Sequence, residues 1–185
     1  MNSSISKLLY GGGIFFDILK WLILVVIVVT IINSYWYSIF LVDGVSMETS
    51  FMNKQMMLSD KSFYRGEADP ERGEVVIVKY PGDPQNKQYL KRVIGLPTEK
   101  VVIAKNKVYI NGKALEESYI SPGTEIFPSG TWTLKNNEYF LMGDNRPQSN
   151  DSRYFGPVEK RFFVGKAIFM IYPVFQGVGL PRYNI

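Results

Sequence analysis

The sequence contains neither histidine nor cysteine. Those absences exclude the Ser-His-Asp triad, thiolate nucleophiles, redox pairs and the usual zinc centres, because each needs imidazole or thiolate. They leave the redox compartment unread, since an extracytoplasmic domain can do without disulfides. There is also no Lys/Arg block and no aromatic-basic alternation, and the formal charge is only +4 over 185 residues, so nucleic acid is not an expected partner. Strand-helix alternation, internal repeats and low-complexity linkers are missing too. What remains is a chain that is 46% apolar and 15% aromatic, enough for one core, or for one core and a membrane anchor.

No charged residue lies between Trp21 and Val42, and the centre of that run reads WLILVVIVVTII. Such a stretch is long enough to cross about 30 Å of hydrocarbon as a helix. Asn33, Ser34, Tyr35, Trp36 and Tyr37 follow as an interfacial exit, where amphipathic rings settle. A secretory signal peptide flanked by Lys7 and Lys20 is the rival reading; against it, the run is long and no small-x-small cleavage site follows. A buried core strand is the third. The mild positive excess fits a place beside a lipid bilayer, and the two Lys and one Asp of the short tail put the N-terminus in the cytoplasm and the remainder outside. The expected organisation is a tail and transmembrane anchor over residues 1–40 and an extracytoplasmic domain over 41–185.

Beyond residue 50 the apolar pattern becomes extended. EVVIVKY (Glu74 to Tyr80), QYLKRVI (Gln88 to Ile94), KVVIA (Lys100 to Ala104), KVYI (Lys107 to Ile110), EYFLM (Glu138 to Met142) and FFVGKAIFMIY (Phe162 to Tyr172) are β-branched or aromatic runs. Asn111-Gly112 predicts a two-residue type I′ hairpin, which needs positive φ at both positions. The expected fold is mainly β, an antiparallel barrel or folded sheet behind one N-terminal transmembrane helix, with residues 113–135 as a loop or small subdomain away from the main sheet.

In VDGVSMETSF (Val42 to Phe51) a Gly-containing turn presents Ser46, a possible nucleophile in a chain without imidazole. The remaining bases are a carboxylate, a lysine amine or the N-terminal amine. The expected topology puts the last across the membrane. Asp144 and Asp151 are each followed two residues later by Arg146 and Arg153, which would depress their pKa values on pairing. A lysine, with a reference pKa of about 10.4, serves near neutrality only in an apolar pocket. Alternation in QYLKRVI puts Lys91 on one face with Tyr89 and Val93, whereas Lys79 ends its strand where solvent is expected. Arg92 cannot act, because guanidinium keeps its proton. A packed stem with its ammonium in water is the commoner arrangement for such a lysine, and spacing alone leaves both open.

Three stretches carry a resemblance: VDGVSM (Val42 to Met47), YLKRVIGLP (Tyr89 to Pro97) and MGDNRPQSNDSRYFGPV (Met142 to Val158), the last fitting GDNRxxSxDSRxxG at every fixed position. In this order behind an apolar anchor, the chain resembles bacterial type I signal peptidases, membrane-bound Ser-Lys proteases, over about residues 15 to 173. The resemblance implies Ser46 as nucleophile, Lys91 as base, Ser149 as a hydroxyl that bonds and orients the lysine, and Asp144, Arg146, Asp151 and Arg153 as an ion-pair framework. A turn hydroxyl bonded to its own backbone is the alternative for Ser149. It further implies removal of signal peptides from preproteins at the outer face of the plasma membrane, after small residues such as Ala, with no metal or cofactor.

Four positions depart from the pattern. Thr49 stands where members commonly have proline, which puts the rigidity of the segment after Ser46 in question. Thr98 and Glu99 follow Pro97 where the family usually has Gly-Asp. Gly44 stands where some members have a serine that helps bind the oxyanion, so backbone N–H groups, including that of Ser46, are expected to do this. A specialised Ser-Lys processing peptidase of pilin or conjugation type, and a catalytically impaired membrane-anchored β module, are the alternatives.

Overall fold

The computed structural model describes residues 3–183 apart from 67, 81 and 182, with residues 3–12 described through their backbone alone. The side chain of Lys7 lies outside the described residues. The chain divides into two compact units, Met1–Tyr37 and Ser38–Ile185.

The first unit is one helix, α1 (Ser3–Tyr35). Within it Gly13–Tyr35, of mean hydropathy 2.6, is long and apolar enough to cross a membrane, and none of it is buried by other parts of the protein. A helix that is apolar all round and has no protein cover is suited to lipid. Three of its polar side chains are satisfied within the helix: Thr30 Oγ1 donates to the Val26 carbonyl at 2.7 Å, and Lys20 pairs with Asp17 at 3.2 Å. The uncharged run outlasts the helix, because Tyr37–Leu41 forms a strand, β1.

The second unit holds two antiparallel sheets. β2 (Met56–Asp60), β3 (Val75–Lys79), β4 (Gln88–Gly95), β5 (Lys100–Ala104), β6 (Lys107–Ile110), β7 (Lys113–Ala114), β8 (Gly130–Thr133) and β9 (Glu138–Met142) follow β1. A short helix α2 (Ser152–Phe155), β10 (Val158–Glu159), β11 (Phe163–Tyr172) and β12 (Gln176–Gly177) complete the chain. The larger sheet runs β1-β2-β11-β3-β4-β9-β10, with β12 added to β11; the smaller runs β7-β6-β5-β8. The mainly antiparallel β class is as expected. Residues 113–135 hold β7 and β8, the two edge strands of the smaller sheet.

Side-chain alternation sorts β4 between separate cores. Val93 packs with Val76, Val78, Tyr139 and Leu141, and Tyr89 lies against that cluster, whereas Leu90 joins Val42, Met47, Val75 and Ile77. The predicted hairpin turn is present, with Asn111 at φ 51° and Gly112 at φ 87°, and Lys105-Asn106 makes a second such turn between β5 and β6. At Gly95 a Cβ would meet side chains of Val101, Leu134 and Phe140, so only glycine lets the end of β4 lie against the smaller sheet. β2 carried no strong sequence signal, because MMLSD has no β-branched or aromatic residue; its pairing with β11 makes it a strand.

Candidate active site

Ser46 sits in the turn that follows β1, half-buried, between exposed Val45 and buried Met47. Met47 anchors the turn by packing among Val42, Phe51 and Met57, and its carbonyl accepts from Phe51 N at 2.8 Å. Lys91 lies on β4, opposite Val76 of β3. Only 2% of its surface is exposed, and Nζ donates to Ser46 Oγ at 2.7 Å. The two residues are 45 positions apart in sequence. Burial pushes the Lys91 amine down to about 8; the carboxylates of Asp151 and Asp144 oppose that shift, and the Arg153 cation reinforces it. Lys79 is exposed at the end of β3, as the sequence suggested.

The third motif forms a loop of buried charges beside this pair. Asp151 caps α2 and accepts from Gly143 N at 3.0 Å and from Arg153 Nε at 2.8 Å. Arg153 also donates to the carbonyls of Phe127, Arg146 and Ser149, at 2.6, 2.7 and 3.2 Å. That pair forms as the spacing suggested. The corresponding Asp144–Arg146 pair does not. Asp144 is instead bound by Arg92 of β4, at 2.9 Å from Nε and 2.5 Å from Nη2. Arg146 is bound by Glu117, with Nη1 at 2.8 Å from Oε2. The reason is steric direction: Arg146 opens a 3₁₀ turn, donates from Nε to the Gly143 carbonyl at 3.1 Å, and so points toward the 113–135 segment.

Ser149 is buried beside the pair, but its Oγ makes no hydrogen bond, so the expected bond to Lys91 is not formed in this arrangement. Its position is close all the same. A Cβ on Gly143 would collide with Ser149 Oγ and with the Ser46 carbonyl, which leaves glycine as the residue that lets the three segments meet.

Sequence reasoning gave no role to Glu117, Tyr119 or Asn145. Tyr119 packs its ring under the Arg92 guanidinium at 4.1 Å, and its hydroxyl donates to Glu117 Oε1 at 2.6 Å. Its carbonyl accepts from Thr49 Oγ1 at 3.2 Å. No motif surrounds residues 117 and 119, so no signal in the sequence pointed to them. Asn145 stood inside the third motif, and its fixed type was the available signal.

A buried amine held against a serine hydroxyl, with acids that are paired and therefore unavailable as bases, can perform acyl transfer by serine attack. Comparison with known proteins agrees. The sequence matches the family described as Signal peptidase, peptidase S26, over residues 15–172. It is similar to Signal peptidase I of Bacillus licheniformis, 32% identical over 85% of this chain and 89% of that one. It is similar to Signal peptidase I S of Bacillus subtilis strain 168, 32% identical over 85% and 90%. Signal peptidase I of Pseudomonas aeruginosa is 35% identical over 63% of this chain and 55% of its own length. A crystal structure of a signal peptidase I from Enterococcus faecalis V583 shares 32% identity, with TM-score 0.48, covering 55% of this chain and 98% of that one. With a match across most of its length and relatives above 30% identity that it nearly spans, this chain belongs to the signal peptidase family, peptidase S26.

Proposed function

We propose that the protein removes N-terminal signal peptides from exported preproteins, with Ser46 as nucleophile and Lys91 as general base. The observation that carries this reading is the 2.7 Å contact between Lys91 Nζ and Ser46 Oγ, made by an amine that burial has brought down to about 8. Once neutral, Nζ accepts the Ser46 proton while Oγ attacks the scissile carbonyl. It then returns that proton to the leaving amine as the tetrahedral intermediate collapses to an acyl-enzyme. Water, deprotonated by the same amine, releases the signal peptide. The backbone N–H of Ser46 contributes to the oxyanion hole, and Ser149 positions the lysine once a small shift brings its hydroxyl within reach. Asp144, Arg146, Asp151 and Arg153 support the site without taking part in the chemistry.

The remaining parts of the reading concern place. Residues 1–40 anchor the chain as a single pass with the N-terminus cytoplasmic, and residues 41–185 act at the outer face of the plasma membrane. Ser46 follows the end of α1 by so few residues that it stays near the bilayer surface, because an extended chain reaches at most about 3.3 to 3.6 Å per residue. β1 is an edge strand that leads into the Ser46 turn, so an extended preprotein segment adding to that edge would be delivered to the serine.

The test is cleavage of a preprotein, and of a peptide carrying Ala-x-Ala, by purified full-length protein. Ser46→Ala, Lys91→Ala and Lys91→Arg are each expected to abolish cleavage, the last because it keeps the charge and cannot give up its proton. The wild-type rate rises with pH to a plateau through an apparent pKa near 8. Retained cleavage in either Ser46→Ala or Lys91→Ala refutes the assignment.

A further inference from the structure

Asn145 touches both peptide groups that flank Ser46. Its side-chain Nδ2 donates to the Val45 carbonyl at 3.0 Å, and its backbone N–H donates to the Ser46 carbonyl at 3.0 Å. Because the group facing Nδ2 is a carbonyl, the amide orientation is settled by chemistry: an oxygen there would meet another oxygen. Gln148 Oε1 accepts from the same Nδ2 at 3.3 Å and holds the rotamer.

A peptide group is planar, and the Val45–Ser46 bond is trans, so the Val45 C=O and the Ser46 N–H point in opposite directions along one rigid plate. Fixing the carbonyl therefore fixes the aim of the N–H. The second bond fixes the plate on the other side of Ser46. Together they restrain both backbone torsions of the nucleophile from one residue, in a turn whose Gly44 is exposed at φ 114° with open space around it. Gly44 offers no hydroxyl of its own for the oxyanion.

We infer that Asn145 is a positioning residue for the oxyanion hole: its carboxamide, through the Val45 carbonyl, aims the Ser46 N–H at the place where charge develops. The inference rests on reading Ser46 as the nucleophile. The gain is confined to the transition state, because the ground-state carbonyl carries little of the charge that the N–H is aimed to meet.

Asn145→Asp replaces the donor by an acceptor of the same shape and keeps the backbone bond; Asn145→Ala removes the group. With purified full-length protein in micelles and an Ala-x-Ala peptide, both are expected to lower kcat by about 100-fold with KM within about threefold. Affinity for a peptide boronic acid, which forms a tetrahedral adduct on Ser46 Oγ, should fall in parallel with kcat/KM. The alkaline rise in rate should keep its midpoint in Asn145→Ala, where no bond to Lys91 is altered and no charge is added, and move to higher pH in Asn145→Asp, whose carboxylate acts on Lys91 as those of Asp144 and Asp151 do. A kcat within about threefold of wild type, or a loss carried by KM or, in Asn145→Ala, by a moved pH midpoint, overturns the inference. Should neither Asn145 variant fold, Gln148→Ala decides: freeing the carboxamide to rotate should cost about tenfold in kcat with the same split, and an unchanged kcat refutes the role. A wild-type protein that neither cuts the peptide nor binds the boronic acid refutes the nucleophile assignment instead.

Discussion

Lys91 carries the energetic cost of the site. Its amine is buried against Ser46 and titrates near 8, below the value of about 10.4 for a lysine in an unfolded chain. Between those two values the unfolded chain binds a proton that the folded protein does not, so stability rises as pH rises through that window. Below pH 8 both states are protonated and the cost of burying the ammonium is fully present. Replacing the amine by an apolar group of similar length removes this cost. Lys91→Met should therefore raise stability at pH 7 by about 1–3 kcal/mol, flatten the rise between pH 8 and pH 10, and abolish cleavage. Urea titrations of both proteins across that range check it.

Two other residues show how a departure from a family pattern is absorbed. Thr49 takes φ 85°, which a proline ring fixed near −65° cannot adopt. The turn after Ser46 is thus held differently, by the Thr49 bond to the Tyr119 carbonyl and by Asn145, rather than by a ring. Thr98 takes φ 69°, the left-handed region suited to the glycine that usually follows the proline, so that turn survives with a strained residue in it.

Among elements, the important join is between the third motif and the segment linking β7 to β8. Glu117 from that segment pairs with Arg146, whose side chain is fully buried, and Tyr119 lies over Arg92. Removing one partner of a buried pair leaves the other charge without compensation, which costs about 3–5 kcal/mol. Glu117→Gln is expected to destabilise the protein by that amount. Glu117→Gln combined with Arg146→Met should lose clearly less than the sum of the two single changes, because the stranded guanidinium is gone. Chemical denaturation of the full cycle measures the coupling. β4 is the other organising element: alternation sends Lys91 toward Ser46 and Arg92 toward Asp144, so one strand supplies both the proposed base and the clamp on the third motif.

The whole molecule consists of a helix without internal cover and a β unit that itself exposes Ile39, Leu41, Tyr172, Val174 and Phe175. If the helix serves to hold the site at the membrane, its contribution to rate is effective concentration and not chemistry. Deleting residues 1–36 should leave cleavage of a soluble Ala-x-Ala peptide within about threefold of the full chain, while cleavage of a preprotein held in vesicles falls by at least about tenfold. Parallel assays in detergent and in proteoliposomes compare the two.

By itself the sequence determined the properties that depend on neighbours a few residues apart. The anchor helix follows from an uncharged run of bilayer length, the strands from alternation, and the Asn111-Gly112 turn from its demand for positive φ; Ser46 and Lys91 are named as a pair only through the family resemblance. Tertiary structure alone decided which charges met. Asp144 and Arg146 are two residues apart and do not pair, whereas Arg146 and Glu117 pair across 29 positions and Lys91 reaches Ser46 across 45. A local period specifies the face on which a side chain lies, but not which distant segment the fold brings against that face. For the same reason the strand character of β2, the unbonded hydroxyl of Ser149 and the double grip of Asn145 on Ser46 became visible only when the sheets were assembled.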